Sequence, residues 1–147
     1  MQQVVISGAK RTPMGGFQGA LSQVSASELG GASISAALTD AEIAPEQVGE
    51  LLMGCVLSAG QGQAPARQAG FHGGLPKDVP ATTLNKMCGS GMKAAMIAHD
   101  QILAGQAHVM IAGGMESMTN APYLLPGMRG GARLGHGVTV DHMFLDG

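Results

Sequence analysis

Four short apolar runs, "QVVISGA", "ELLMGCVL", "ATTLNKM" and "HVMIAGGM", alternate with stretches of helical character, and this alternation constrains the chain more than any other feature. In "QVVISGA" the apolar residues are contiguous rather than every second one, while "ATTLNKM" is marked by its β-branched content. That pattern suits strands covered on both faces, as in a parallel sheet under helices. An α/β fold is expected, with a mostly parallel sheet and helices on its faces.

Helix boundaries are marked by local chemistry. Ser25 and Glu28 have capping-box spacing, and Leu29, Ala32, Ala36 and Ala37 continue a small-residue helix to about Thr39. Gly30 and Gly31 inside that helix cost helicity, so something is expected to pack closely there. Pro45 suits a short helical turn, a second helix starts near Pro65 and stops at Gly73-Gly74, and a third runs to about Leu103. The periodicity dissolves after Glu116. Two regions are therefore expected, residues 1–116 as the α/β region and 117–147 as the start of a loop region.

With 24 glycines, no tryptophan and only 12% charged residues, the chain has tight backbone packing and a surface poor in charge. A formal charge of -2 and no basic cluster beyond Lys10-Arg11 disfavour nucleic acid as a partner. No apolar run approaches the roughly 18 residues needed to cross a bilayer. The opening "MQQVVISGAKRTP" lacks the features of a signal peptide, so no membrane association and a cytoplasmic location are expected. In that compartment Cys55 and Cys88 are free thiols.

The stretch "NKMCGSGMKAAM" carries the chemistry. A strand, a sharp turn and a helix opening with Gly-Ser-Gly place Cys88 at a helix N-terminus, where unpaired N–H groups favour the thiolate. The glycines let a substrate carbonyl approach, and the backbone N–H of Cys88 could help hold an oxyanion. These are the features of a nucleophile elbow built around sulfur. The competing reading is a small buried hydrophobe, and local sequence leaves both open because no base is identified by spacing. For Cys55, inside an apolar strand, the buried reading prevails.

Gly89 to Ala94 also match G-x-G-x-x-A, with Glu116 at about the distance of a ribose-binding acid, which would make a dinucleotide-binding module. Asn85 and Lys86 in the preceding strand argue against it. His72, His99, His108, His136 and His142 show no clustered spacing, so no metal site is expected. His99 reads as a helix-surface residue, about three turns from the helix start. Glu116, Asp141 and Asp146 are solitary acids that read as caps or solvated groups.

Taken together, "RTPMGGFQGAL", "GCVLSAGQGQAPARQAG", "NKMCGSGMKA", "MIAGGMESMTNAPYLLP" and "RLGHG" followed by "DHMFLDG" resemble the N-terminal part of a thiolase, nearest the acetyl-CoA acetyltransferase branch. The resemblance covers essentially the whole chain. It implies the N-terminal half of a thiolase-like mixed, mostly parallel sheet with helices on both faces. It also implies an acyltransferase that condenses two acetyl-CoA to acetoacetyl-CoA, or runs the reverse thiolysis, through an acetyl-cysteine at Cys88. Acetyl-CoA and CoA are then substrates, and no cofactor is required. A homo-oligomer or a C-terminal complement is the implied assembly, with Gln63 through Gln68 near a subunit contact.

Similar enzymes are more than twice as long. The Asn-Glu-Ala-Phe, Gly-His-Pro and C-terminal Cys-x-Gly segments that supply their oxyanion partners, activating histidine and second cysteine do not occur here. The chain is thus expected to be a truncated piece or one half of a split enzyme, not competent alone. The alternative is a catalytically inert structural or dimerising fragment.

Overall fold

The computed structural model describes residues 3–147 and shows a parallel sheet between helical layers. The elements are α1 (Ala26–Ala41), β1 (Glu50–Gly54), α2 (Pro65–His72), β2 (Ala81–Leu84), α3 (Ser90–Leu103) and β3 (Met110–Gly114). Then come β4 (Tyr123–Leu124), β5 (Val140–Asp141) and α4 (His142–Asp146), with 3-10 turns at Pro45–Gln47 and Met128–Gly130. The main sheet has the order β2-β1-β3, every pairing parallel; β4 and β5 form a separate antiparallel pair.

β1 is the centre of this arrangement. Leu51, Leu52 and Met53 are its three largest fully buried side chains, and successive residues face opposite layers. Leu51 and Met53 join α1 and α2 residues such as Ile34, Leu38, Ala66 and Ala69. Leu52 joins Ala94 and Ala98 of α3 on the other face. The contiguous apolar run is thus explained by helices on both sides, as the sequence reading expected.

α1 begins with a complete capping box. The Ser25 Oγ accepts from the Glu28 N–H at 3.2 Å, and a Glu28 carboxylate oxygen accepts from the Ser25 N–H at 2.8 Å. At Gly30 an added Cβ would lie 2.7 Å from the Met115 Sδ and 3.1 Å from the Ala69 Cβ, and at Gly31 it would meet His72. The lost helix propensity is offset by the close approach of α1 to α2 that only glycine permits.

The structure corrects several expectations. "QVVISGA" is not a buried strand: residues 3–10 form no regular element and are unpaired, and Val5 and Ile6 are 79% and 90% exposed. An edge strand needs a neighbour, and β3 does not reach this segment. It is fastened instead by Lys10, 2.7 Å from Asp40 of α1, and by Gly8, whose φ of +66° sets its backbone against Ala37. Met1 and Gln2, which precede it, lie outside the described residues. The "ELLMGCVL" strand also ends early, at Gly54, because the Val56 and Leu57 N–H groups turn to a carboxylate. The stretch beyond Glu116 has more order than its irregular sequence suggests, in β4, β5 and α4.

Two stability outcomes are expected. Leu52→Ala should cost about 3 kcal/mol in chemical denaturation, since it opens a cavity between β1 and α3. Hydrogen bonds from Ser25 hold the Glu28 carboxyl below its ordinary value of 4.5, so its contribution is present above the carboxylate range and lost as pH falls through the lowered value. The stability gap between the wild type and Glu28→Gln should therefore close in acid.

Candidate active site

At the C-terminal edge of the sheet, β2 ends at Leu84, and residues 85–89 turn the chain into α3. The turn is built by short hydrogen bonds. The Asn85 Oδ1 accepts from the Met87 N–H at 2.9 Å, while the Ser90 Oγ accepts from the Lys86 N–H at 2.8 Å and donates to the Met87 carbonyl at 2.6 Å. Gly89 and Ser90 N–H groups bond back to the Lys86 and Met87 carbonyls at 3.1 and 3.0 Å. The result forces Met87 to a φ of +50°, a conformation that costs a side-chain-bearing residue about 1 kcal/mol or more.

Cys88 follows this strained residue and is exposed. It sits just before the N-cap, Gly89, which caps α3 with no side chain. The N–H groups of Gly91 and Met92 find no acceptor among the described residues, so the positive end of α3 opens beside the thiol. Ser90, only 5% exposed, is wedged against β1: an added Cβ at Gly54 would collide with its Cβ and lie 3.1 Å from its carbonyl carbon. Glycine at 54 is what lets the start of α3 seat there.

No hydrogen bond joins the Cys88 Sγ to any described residue. His99 is exposed and pairs with its neighbour Asp100 at 3.1 Å, as a helix-surface residue. Cys55 has the opposite character. It is buried, receives the Gln61 Nε2 at 3.2 Å, and its Sγ lies 3.5 Å from the Glu116 Oε1. Burial, with the nearby Glu116 charge, pushes its thiol up to about 11.

Sequence reasoning missed the role of Glu116. Its carboxylate accepts from the Val56 and Leu57 N–H groups, both at 2.9 Å, so it clamps the chain leaving β1 to the chain leaving β3. That use also removes the acid which a dinucleotide-binding reading of Gly89 to Ala94 requires. Equally unforeseen is the pair His142–Asp146. The buried His142 accepts the Ala59 N–H on Nε2 at 3.3 Å and meets the Asp146 Oδ2 from Nδ1 at 2.6 Å, docking α4 on the same loop. Asp141 is the N-cap of α4. Partners separated by 60 and 83 residues leave no local signal. Within the Gln63–Gln68 segment, the Gln68 side chain donates to the Gln61 and Gln63 carbonyls at 2.8 and 2.7 Å, closing its own loop.

This fold and turn coincide with a clear match to known proteins. Residues 4–147 match the family described as "Thiolase, N-terminal domain", and the chain belongs to the thiolase family. It is 53% identical over all 147 residues to an acetyl-CoA acetyltransferase of Cupriavidus necator, covering 37% of that protein. It is 52% identical over 146 residues to acetyl-CoA acetyltransferase 2 of Arabidopsis thaliana, covering 99% of this chain and 36% of that one. A probable acetyl-CoA acyltransferase of Staphylococcus epidermidis is 46% identical over 147 residues, again 100% of this chain and 37% of its own length. The chain thus spans little more than a third of these relatives. Among the described residues no helix is long and apolar enough to cross a membrane.

Thiol reactivity should separate the two cysteines sharply. With iodoacetamide at about pH 8, Cys88 should be alkylated in the folded chain while Cys55 stays intact until the chain is unfolded, as read by peptide mass mapping.

Proposed function

We propose that this chain carries the acyl-accepting half of an acetyl-CoA acetyltransferase site, with Cys88 as the nucleophile. The observation that carries the reading is the exposed thiol on a strained strand-to-helix turn, beside the unpartnered N–H groups of Gly91 and Met92. The names of the relatives supply the substrate class, acetyl-CoA.

In this reading the Cys88 sulfur, as thiolate, attacks the thioester carbonyl of acetyl-CoA. Negative charge moves onto the carbonyl oxygen, where the Cys88 backbone N–H and the α3 N-terminus stabilise it. Collapse expels the CoA thiolate, which takes up the proton lost by Cys88, and leaves an acetyl thioester on the enzyme. In the second half-reaction a base supplied from outside the described residues takes an α-proton from another acetyl-CoA, and that proton returns to the sulfur when the Cys88 thiolate is released. The resulting carbanion attacks the acetyl-cysteine carbonyl, forming a carbon–carbon bond and releasing the Cys88 thiolate with acetoacetyl-CoA; thiolysis is the reverse. This chemistry calls for no prosthetic group, and a reducing cytoplasm keeps the thiol free.

Among the described residues no base is hydrogen-bonded to the Cys88 Sγ, which favours a second reading, an inert structural piece. Missing a general base and an oxyanion donor typically costs about a hundredfold each or more. The 147 residues alone are therefore expected to be poor at the complete condensation.

Intact mass after incubation with acetyl-CoA tests the proposal. A single acetyl adduct that disappears in Cys88→Ser is expected. A folded wild-type chain that stays unmodified would sink the nucleophile assignment for this chain and leave the inert reading.

A further inference from the structure

His72, His99, His108 and His136 are exposed, whereas His142 is 5% exposed and lies between α4 and the loop that follows β1. Its hydrogen bonds fix where its proton sits. A backbone N–H can only donate, so the Nε2 that meets the Ala59 N–H at 3.3 Å presents a lone pair. The neutral ring therefore carries its hydrogen on Nδ1, which donates to the Asp146 Oδ2 at 2.6 Å. Among the described residues the Ala59 N–H has no other partner.

A second proton can go only to Nε2, where it would set one N–H against another. The imidazolium is thus incompatible with this seat, and the Ala59 N–H would lose its acceptor. Attraction to Asp146 does not rescue the contact. That carboxylate stands four residues further along the same helix and is half exposed, so it can stay with the charged ring whether or not α4 is seated.

The segments packed around His142 bring few other charges. Residues 57–61 carry none, and Glu116 on the far side of that loop is bonded to the Val56 and Leu57 N–H groups. Asp141 is bonded to the Met143 N–H, with Tyr123 of β4 as its strand partner, and Cys55 is buried at the start of the loop. Of these side-chain types only imidazole ordinarily changes charge between about pH 5 and 8.

We propose that His142 is a pH-sensitive latch, which holds α4 to the 57–61 loop when neutral and releases the Ala59 N–H when protonated. Release takes up one proton, so the latch is closed above the imidazole range and opens as pH falls through it. The opening is local. Glu116 still clamps Val56 and Leu57, and the His142 N–H still donates to the Pro122 carbonyl at 3.2 Å beside the β4–β5 pair. What loosens is the tip of the loop between Cys55 and α2, together with the seat of α4. The inference does not depend on acetylation of Cys88.

Nitrogen-15 NMR of the folded chain tests this on the wild type. The His142 ring should show the Nδ1–H tautomer at neutral pH. Protection of the Ala59 amide, after division by its intrinsic exchange rate, should fall about tenfold from pH ~7.5 to ~5.5, the factor that a free imidazole titrating near about 6.5 supplies. The midpoint of that loss should coincide with the midpoint of the His142 ring shifts. His142→Gln, whose amide offers an acceptor and a donor but takes up no proton in this range, should leave Ala59 without this pH dependence. An Nε2–H tautomer at neutral pH, separate midpoints, or a loss of Ala59 protection that persists in His142→Gln would each overturn the proposal.

Discussion

Confinement of β1 on four sides is the constraint from which the other features follow. It is hydrogen-bonded to β2 along one edge and β3 along the other, with α1 and α2 over one face and α3 over the other. Leu51, Leu52 and Met53 have no solvent to relax into. The loop carrying Cys55 to Gln61, the elbow carrying Cys88 and the segment carrying Glu116 all leave this sheet at the same end. A rigid centre with irregular segments gathered at the C-terminal ends of parallel strands is the usual arrangement for a ligand-binding site in open α/β folds.

Within that cluster the two cysteines show how environment divides one side-chain type into two roles. Cys55 is enclosed by apolar residues and faces a carboxylate, which makes its thiolate costly. Cys88 is exposed beside helix N–H groups that no described residue occupies. Glu116 links the two parts of the site by fixing the backbone after β1 to the end of β3.

The legible parts of this sequence were those with short-range causes. The capping box at Ser25, the Pro65 start of α2, the glycine contacts of α1 and the strand-turn-helix around Cys88 each follow from neighbouring residues. What could not be read were partnerships over long separations, such as Glu116 with Val56 or His142 with Ala59, because nothing in a local window marks them. "QVVISGA" failed for a different reason. Its pattern does specify a strand, but a strand is a relation between two backbones, and among the described residues none pairs with 3–10.

Gly54 gives the elbow an unusual dependence on the sheet's interior. Because Ser90 rests where a side chain at 54 would project, and Ser90 in turn holds Lys86 and Met87, the direction of the Cys88 sulfur is set from the middle strand outward. A methyl group added at that point would act as a lever rather than a void-filler. The contact falls on the first residue of α3, two positions from Cys88, so the displacement it forces acts directly on the turn that aims the thiol.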